Sequence, residues 1–119
     1  MIVGITGNFG TGKTTVANIF GRYGFDVINV DRLYHNIYKK NPILISKLRK
    51  EFGTAKRNEI RKIVFNNSEK LNKLNFIVHP IIIKAIKNQA ASITKKKNNA
   101  KIIIDIPLLF EAKLEKMFD

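Results

Sequence analysis

A chain of 119 residues is long enough for one compact domain and small for an enzyme that must hold two substrates. Its hydrophobic content of 45% argues against disorder, and the absence of cysteine excludes a disulfide framework or a thiolate metal site. A formal charge of +13, from 22 Lys and Arg against 9 Asp and Glu, suits polyanionic ligands. The lysines are nevertheless spread over what read as solvated helix faces, without the interleaved aromatic residues of a base-stacking surface, so a nucleic-acid partner is not expected.

Residues 2–6 form a short apolar, β-branched run that reads as a strand buried on both faces, as in a parallel sheet. The segment GNFGTGKTT follows at residues 7–15, with Gly7, Gly12, Lys13 and Thr14 at the fixed positions of the phosphate-binding pattern G-x-x-x-x-G-K-[ST]. Triphosphate oxygens must meet several backbone N–H groups at once. That demands a loop with little side-chain bulk, which Gly7, Gly10 and Gly12 provide. The loop opens onto a helix whose unpaired first-turn N–H groups and positive dipole end attract anions. Lys13 would add a charge on the β- and γ-phosphates, and the Thr14 hydroxyl would coordinate Mg²⁺.

Residues 13–23 carry an apolar stripe of Val16, Ala17, Ile19, Phe20 and Tyr23, with Gly24 as the stop. A second β-branched run at 25–30 completes a strand, loop, helix, strand sequence. Asp31 then falls at the C-terminal end of that strand, where ligands of open α/β sheets bind. It is equally suited to cap a helix beginning at Arg32.

From residue 32 to 97 the pattern is helical. Asn41 and Pro42 open a helix that Gly53 closes. Ser68 is expected to cap a helix over 69–78, with Leu71, Leu74, Ile77 and Val78 buried, and Pro80 to start a further helix. His79 lies at the junction and reads as a packing or capping residue as readily as a functional one. After a polar turn at 95–99, a third apolar strand at 101–106 carries Asp105 near its C-terminal end. A carboxylate there, beside a phosphate-binding loop, suits Mg²⁺. Residues 112–119 read as a short helix.

No apolar run approaches the roughly 20 residues needed to cross a bilayer, and the first is too short for a signal peptide. No membrane association is expected, and the cytoplasm is the expected location. With no repeat and no linker, the chain reads as one α/β domain over 1–119, with helices on both faces of a three-stranded parallel sheet.

The run GITGNFGTGKTTVANIFGRYGFDVINVD, followed in order by RNEIRKIVF, EKLNKLNFIVHPII and IIIDIPLLFE, resembles dephospho-coenzyme A kinase. The resemblance implies a P-loop fold whose helical insertion, about 32–97, binds the acceptor. It implies transfer of the ATP γ-phosphoryl group to the ribose 3′-hydroxyl of dephospho-coenzyme A, with Mg²⁺. By the same resemblance Gly7, Gly10, Thr11, Gly12, Lys13, Thr14 and Thr15 would hold ATP, with Thr14 and Asp105 on the metal. Lys13 and Asp31 would be catalytic, Asp31 orienting and deprotonating the attacking hydroxyl. Asp31, Arg61, His79, Leu109 and Glu111 would face the acceptor, as would the region around Arg57 and Phe65. Set against the family, the loop between Gly53 and Arg57 is shortened. Two further core strands, a mobile lid with an arginine and an adenine-gripping segment are missing, so the chain reads as the N-terminal part of the family's length. Residues 2–6 should then form an exposed sheet edge, to be covered by a missing C-terminal half or by self-association.

Overall fold

The computed structural model describes residues 1–7 and 12–107, except for the side chains of Thr14 and Pro107. Three strands, β1 (Ile2–Gly7), β2 (Asp26–Asn29) and β3 (Ile102–Pro107), form a parallel sheet in the order β1-β3-β2. Helix α1 (Lys13–Arg22) lies between β1 and β2 in sequence. Between β2 and β3 the chain inserts α2 (Val30–Lys40), α3 (Pro42–Phe52), α4 (Arg57–Val64) and α5 (Ser68–Lys96).

The strand run IIIDIP occupies the centre of the sheet and is buried from Ile102 to Ile106. Because successive side chains point to opposite faces, it serves two layers. Ile102, Ile104 and Ile106 join Ile28, Val30, Leu44, Leu48, Ile60, Val78, Ile82 and Ile86 in one continuous core with α2 to α5. Ile103 and Asp105 belong to the face that α1 covers. The register pairs Val27 with Ile103 and Asn29 with Asp105, so β2 adds Val27 and Asn29 to that face.

Strand β1 pairs on one side only among the described residues, with β3, and its Gly4 and Thr6 are exposed. The first strand is therefore the expected sheet edge, and it is half-buried rather than covered on both faces. Among the described side chains of α1 only Ala17 is fully buried, while Val16, Ile19 and, just past the helix, Tyr23 of the expected stripe stay exposed.

The helix ends follow local chemistry. The Asn41 side chain accepts from the Ile43 and Leu44 N–H groups ahead of Pro42, and Gly53 ends α3 in the left-handed region at φ 75°. Two expectations need correction. Asn67, not Ser68, caps α5 by accepting from Lys70 N–H. The helix also runs through Pro80 without a break. Proline removes one N–H and crowds the carbonyl four residues back, but Pro80 is exposed and Phe76 is 83% exposed, so the freed carbonyl faces water. The buried series Val78, Ile82, Ile86 and Ala90 continues past it at helical spacing and holds both halves on one core. Leu71, expected inside, is exposed.

Pro80→Ala should therefore raise stability by about 1–3 kcal/mol by restoring a helical hydrogen bond, seen as a higher midpoint in thermal denaturation. Ile104→Ala, at the centre of the core, should cost about 2–5 kcal/mol in urea unfolding.

Candidate functional site

The C-terminal ends of the three parallel strands bring together segments far apart in the chain. After β1 the chain enters α1 through Gly12, at φ 80° and ψ 11°, a left-handed conformation that a side chain would strain. Lys13 is thus the first residue of α1, and its long side chain turns back over the sheet. Its Nζ lies 3.0 Å from Asp105 Oδ1 and donates to the Ile106 carbonyl at 3.1 Å. Both side chains are largely withdrawn from water, at 12% and 4% exposure, so this is a buried ion pair.

Asn29 supports it from β2. Its Nδ2 donates to Asp105 Oδ2 at 3.3 Å, while its Oδ1 accepts from Arg32 N–H at 2.9 Å and caps α2. One carboxamide therefore links the carboxylate of β3 to the helix start that carries Asp31. The cap is Asn29 rather than Asp31, and α2 begins at Val30 rather than at Arg32. Asp31 sits in the first turn of α2, exposed, where a negative charge is favoured by the helix dipole. Beside Asp105 a polar cleft of about 360 Å³ opens, lined among others by Asn18, Asn29, Arg32, Asn36 and Gln89.

The remaining expected residues divide. Thr15 is exposed on α1, and Gly7 ends β1. Arg61 is exposed on α4 and lines a second, smaller pocket with Tyr34, Tyr38 and Arg57. His79 is buried within α5, 6% exposed, rather than standing at a helix junction. Gly10, Thr11, Leu109 and Glu111, together with the Thr14 hydroxyl, lie outside the described residues. Among the described residues no group of three His, Cys, Asp or Glu side chains is placed to hold a metal on its own.

Sequence reading missed Asn29, Tyr34 and Tyr38. Only the i, i+4 spacing of the two tyrosines on a helix could have signalled a pair. Their rings stack at 5.8 Å and 22°. Burial pushes the Tyr34 hydroxyl pKa up, against the Arg57 charge that lowers it. For Tyr38, burial first and then Tyr34 push it up to about 12.

A parallel α/β sheet with a glycine-lysine turn entering the helix after its first strand defines a P-loop nucleotide-binding fold. A family model for dephospho-CoA kinase matches residues 1–119, and the chain belongs to that family. It is 37% identical over its full length to the dephospho-CoA kinase of Fusobacterium nucleatum, of which it covers 63%. Over 99% of the chain it is 38% identical to that of Carboxydothermus hydrogenoformans, of which it covers 61%. Among solved structures, dephospho-CoA kinase from Campylobacter jejuni superposes with a TM-score of 0.77 at 27% identity, over 99% of this chain and 63% of that one. A Thermus thermophilus protein gives the same TM-score at 28% identity, over 99% of this chain and 61% of that one. The chain spans about three-fifths of the length of these relatives.

Asp105→Asn should leave the Lys13 ammonium buried without its carboxylate and destabilise the nucleotide-free protein by about 2–4 kcal/mol, measured by urea unfolding. For Tyr38, a folded pKa of about 12 lies above the ordinary phenol value of 10.0. Its contribution to stability is therefore complete below pH 10 and is lost as pH rises through the folded value. Absorbance titration should show a phenolate step near pH 12 that Tyr38→Phe removes.

Proposed function

We propose that this chain carries the donor-phosphate and acceptor-facing parts of a dephospho-CoA kinase, an ATP-dependent phosphotransferase acting on the ribose 3′-hydroxyl of dephospho-CoA. The observation that carries the reading is the convergence at one sheet edge of Lys13 after β1, Asp31 after β2 and Asp105 at the end of β3. The family match across the chain supports it.

In this reading the N–H groups around residues 7–15, including Gly7, Gly10, Thr11, Gly12 and Thr15, cradle the ATP phosphates. Lys13 already stands at the strand ends with its charge matched by Asp105. An entering triphosphate offers the ammonium a second, stronger set of acceptors. Mg²⁺ fits the oxygen donors present, since it binds through one or two carboxylates and substrate phosphates rather than an all-protein cage. Asp105 and Thr14 would hold it, and when bound it neutralises charge on the β- and γ-phosphates. Asp31 orients the acceptor hydroxyl and takes its proton as the oxygen attacks the γ-phosphorus in line and ADP departs. Because the transition state is loose, holding the two oxygens in line matters more than the strength of the base. By the family resemblance Arg61, Leu109 and Glu111 would face the acceptor, as would His79, which is buried in α5.

The half-paired β1 would be completed by a strand from further sequence of the same protein or from a second chain. Cytoplasmic residence goes with this reading, and no helix among the described residues is long and apolar enough to cross a membrane.

Incubation with ATP, Mg²⁺ and dephospho-CoA should yield coenzyme A when the remaining family segment is added, and little or none without it. No product with the segment added would sink the proposal. Lys13→Ala should abolish ATP binding in calorimetry. Asp31→Asn should retain it and slow transfer by about 10²-fold or more.

A further inference from the structure

Asn29 and Asp105 are partners in register on neighbouring strands, β2 and β3. What Asn29 meets on its two sides is chemically opposite. Its Nδ2 donates to Asp105 Oδ2 at 3.3 Å, and its Oδ1 accepts from Arg32 N–H at 2.9 Å. A carboxylate oxygen only accepts and a backbone N–H only donates, so the position needs a donor and an acceptor on separate atoms of one short side chain. Aspartate and serine cap helices as well as asparagine does. An ionised aspartate, however, has no proton to give, and serine carries both functions on a single oxygen held close to the main chain. Capping alone therefore does not account for a carboxamide here.

Asp31 lies inside the turn that this carboxamide closes. No loop separates β2, which ends at Asn29, from α2, which begins at Val30. Val30 is fully buried in the core shared by sheet and helices, and Arg32 N–H is the group that Asn29 holds. The turn is thus fixed on one side by apolar burial and on the other by a bridge. The far end of that bridge is the carboxylate that stands 3.0 Å from Lys13 Nζ. Polar contacts run without a gap from Lys13 through Asp105 and Asn29 to the start of α2.

We propose that Asn29 is a positioning residue for phosphoryl transfer: its carboxamide sets the turn that carries Asp31 against Asp105 and Lys13, and so fixes the acceptor-side carboxylate relative to the donor-phosphate side. This rests on the kinase reading for the roles of Asp31 and Lys13. Asn29 acts through Asp31 rather than on a reacting atom. A displacement of about 1 Å can cost roughly a hundredfold in rate. Val30 still anchors the turn when the bridge is lost, so a smaller loss is expected.

Two replacements separate the bridge from the cap. Asn29→Ser keeps an accepting oxygen for Arg32 N–H and loses the arm to Asp105, whereas Asn29→Ala loses both. In the assay with the remaining family segment added, Asn29→Ser should lower kcat about tenfold, with KM for ATP and for dephospho-CoA within about twofold of wild type. Asn29→Ala should be no faster than the serine variant. A serine variant as fast as wild type, with only alanine impaired, reduces Asn29 to a helix cap and overturns the proposal. A loss confined to KM overturns it as well.

A second measurement uses neither substrate nor a destabilised variant. In nucleotide-free wild type, the Asn29 side-chain amide can be assigned in the NMR spectrum by its absence from that of Asn29→Ser. Its protons should exchange with water at least about tenfold more slowly than those of exposed asparagine side chains. Exchange at the free rate shows that the bridge does not form and overturns the proposal whatever the kinetics. Slow exchange in wild type that makes no coenzyme A would instead locate the failure in the kinase reading, and the catalytic part of the proposal falls with it.

Discussion

A lysine ammonium and an aspartate carboxylate, 3.0 Å apart and almost shielded from water, hold the carboxyl edge of the sheet together. Neither charge could be buried there alone, since removing an ion from water costs several kcal/mol unless a partner compensates. Much of the remaining architecture follows from that requirement. Gly12 takes a left-handed conformation so that Lys13 can open α1, and β3 must run between β1 and β2 to bring Asp105 beneath it. Asn29 takes the second carboxylate oxygen and with its other end starts α2.

The same pair gives the Lys13 charge its partners within the fold, Asp105 and the Ile106 carbonyl. On the proposed reading, ligand phosphates would compete for a donor that is already oriented, the cost of ordering the lysine having been met during folding. The helical insert works differently. Its core is continuous with that of the sheet through Ile104, Ile60, Leu48 and Ile82, so α2 to α5 form a wall tied to the strands. On that wall the Tyr34 and Tyr38 rings stack on each other, and the buried Tyr38 hydroxyl has no hydrogen-bond partner among the described residues.

Apolar surface marks where the fold is open. Val16 and Ile19 on α1 are exposed, β1 has a strand partner on one side only among the described residues, and the chain spans about three-fifths of the length of its relatives. A parallel sheet normally carries cover on both faces and neighbours on its central strands. Here β3, the most apolar strand, takes the centre and obtains that cover from within the chain.

The glycine-lysine segment, the βαβ order, the Asn41 and Gly53 helix ends and the acid at the end of the third strand were all legible in the sequence. Each depends on residues within a turn or two of one another, whose backbone preferences act locally. The family followed from the same short segments. Helix breaks were less legible: Pro80 reads as a boundary, yet packing of Val78, Ile82 and Ile86 on one core outweighs a single lost hydrogen bond on the wet face. The partner of Lys13, the bridging role of Asn29, the strand order and the cation over Tyr34 and Tyr38 came only with the tertiary structure. Those contacts join segments many residues apart, and which of them meet is set by strand register and by how helices seat on a shared core, which no local pattern encodes.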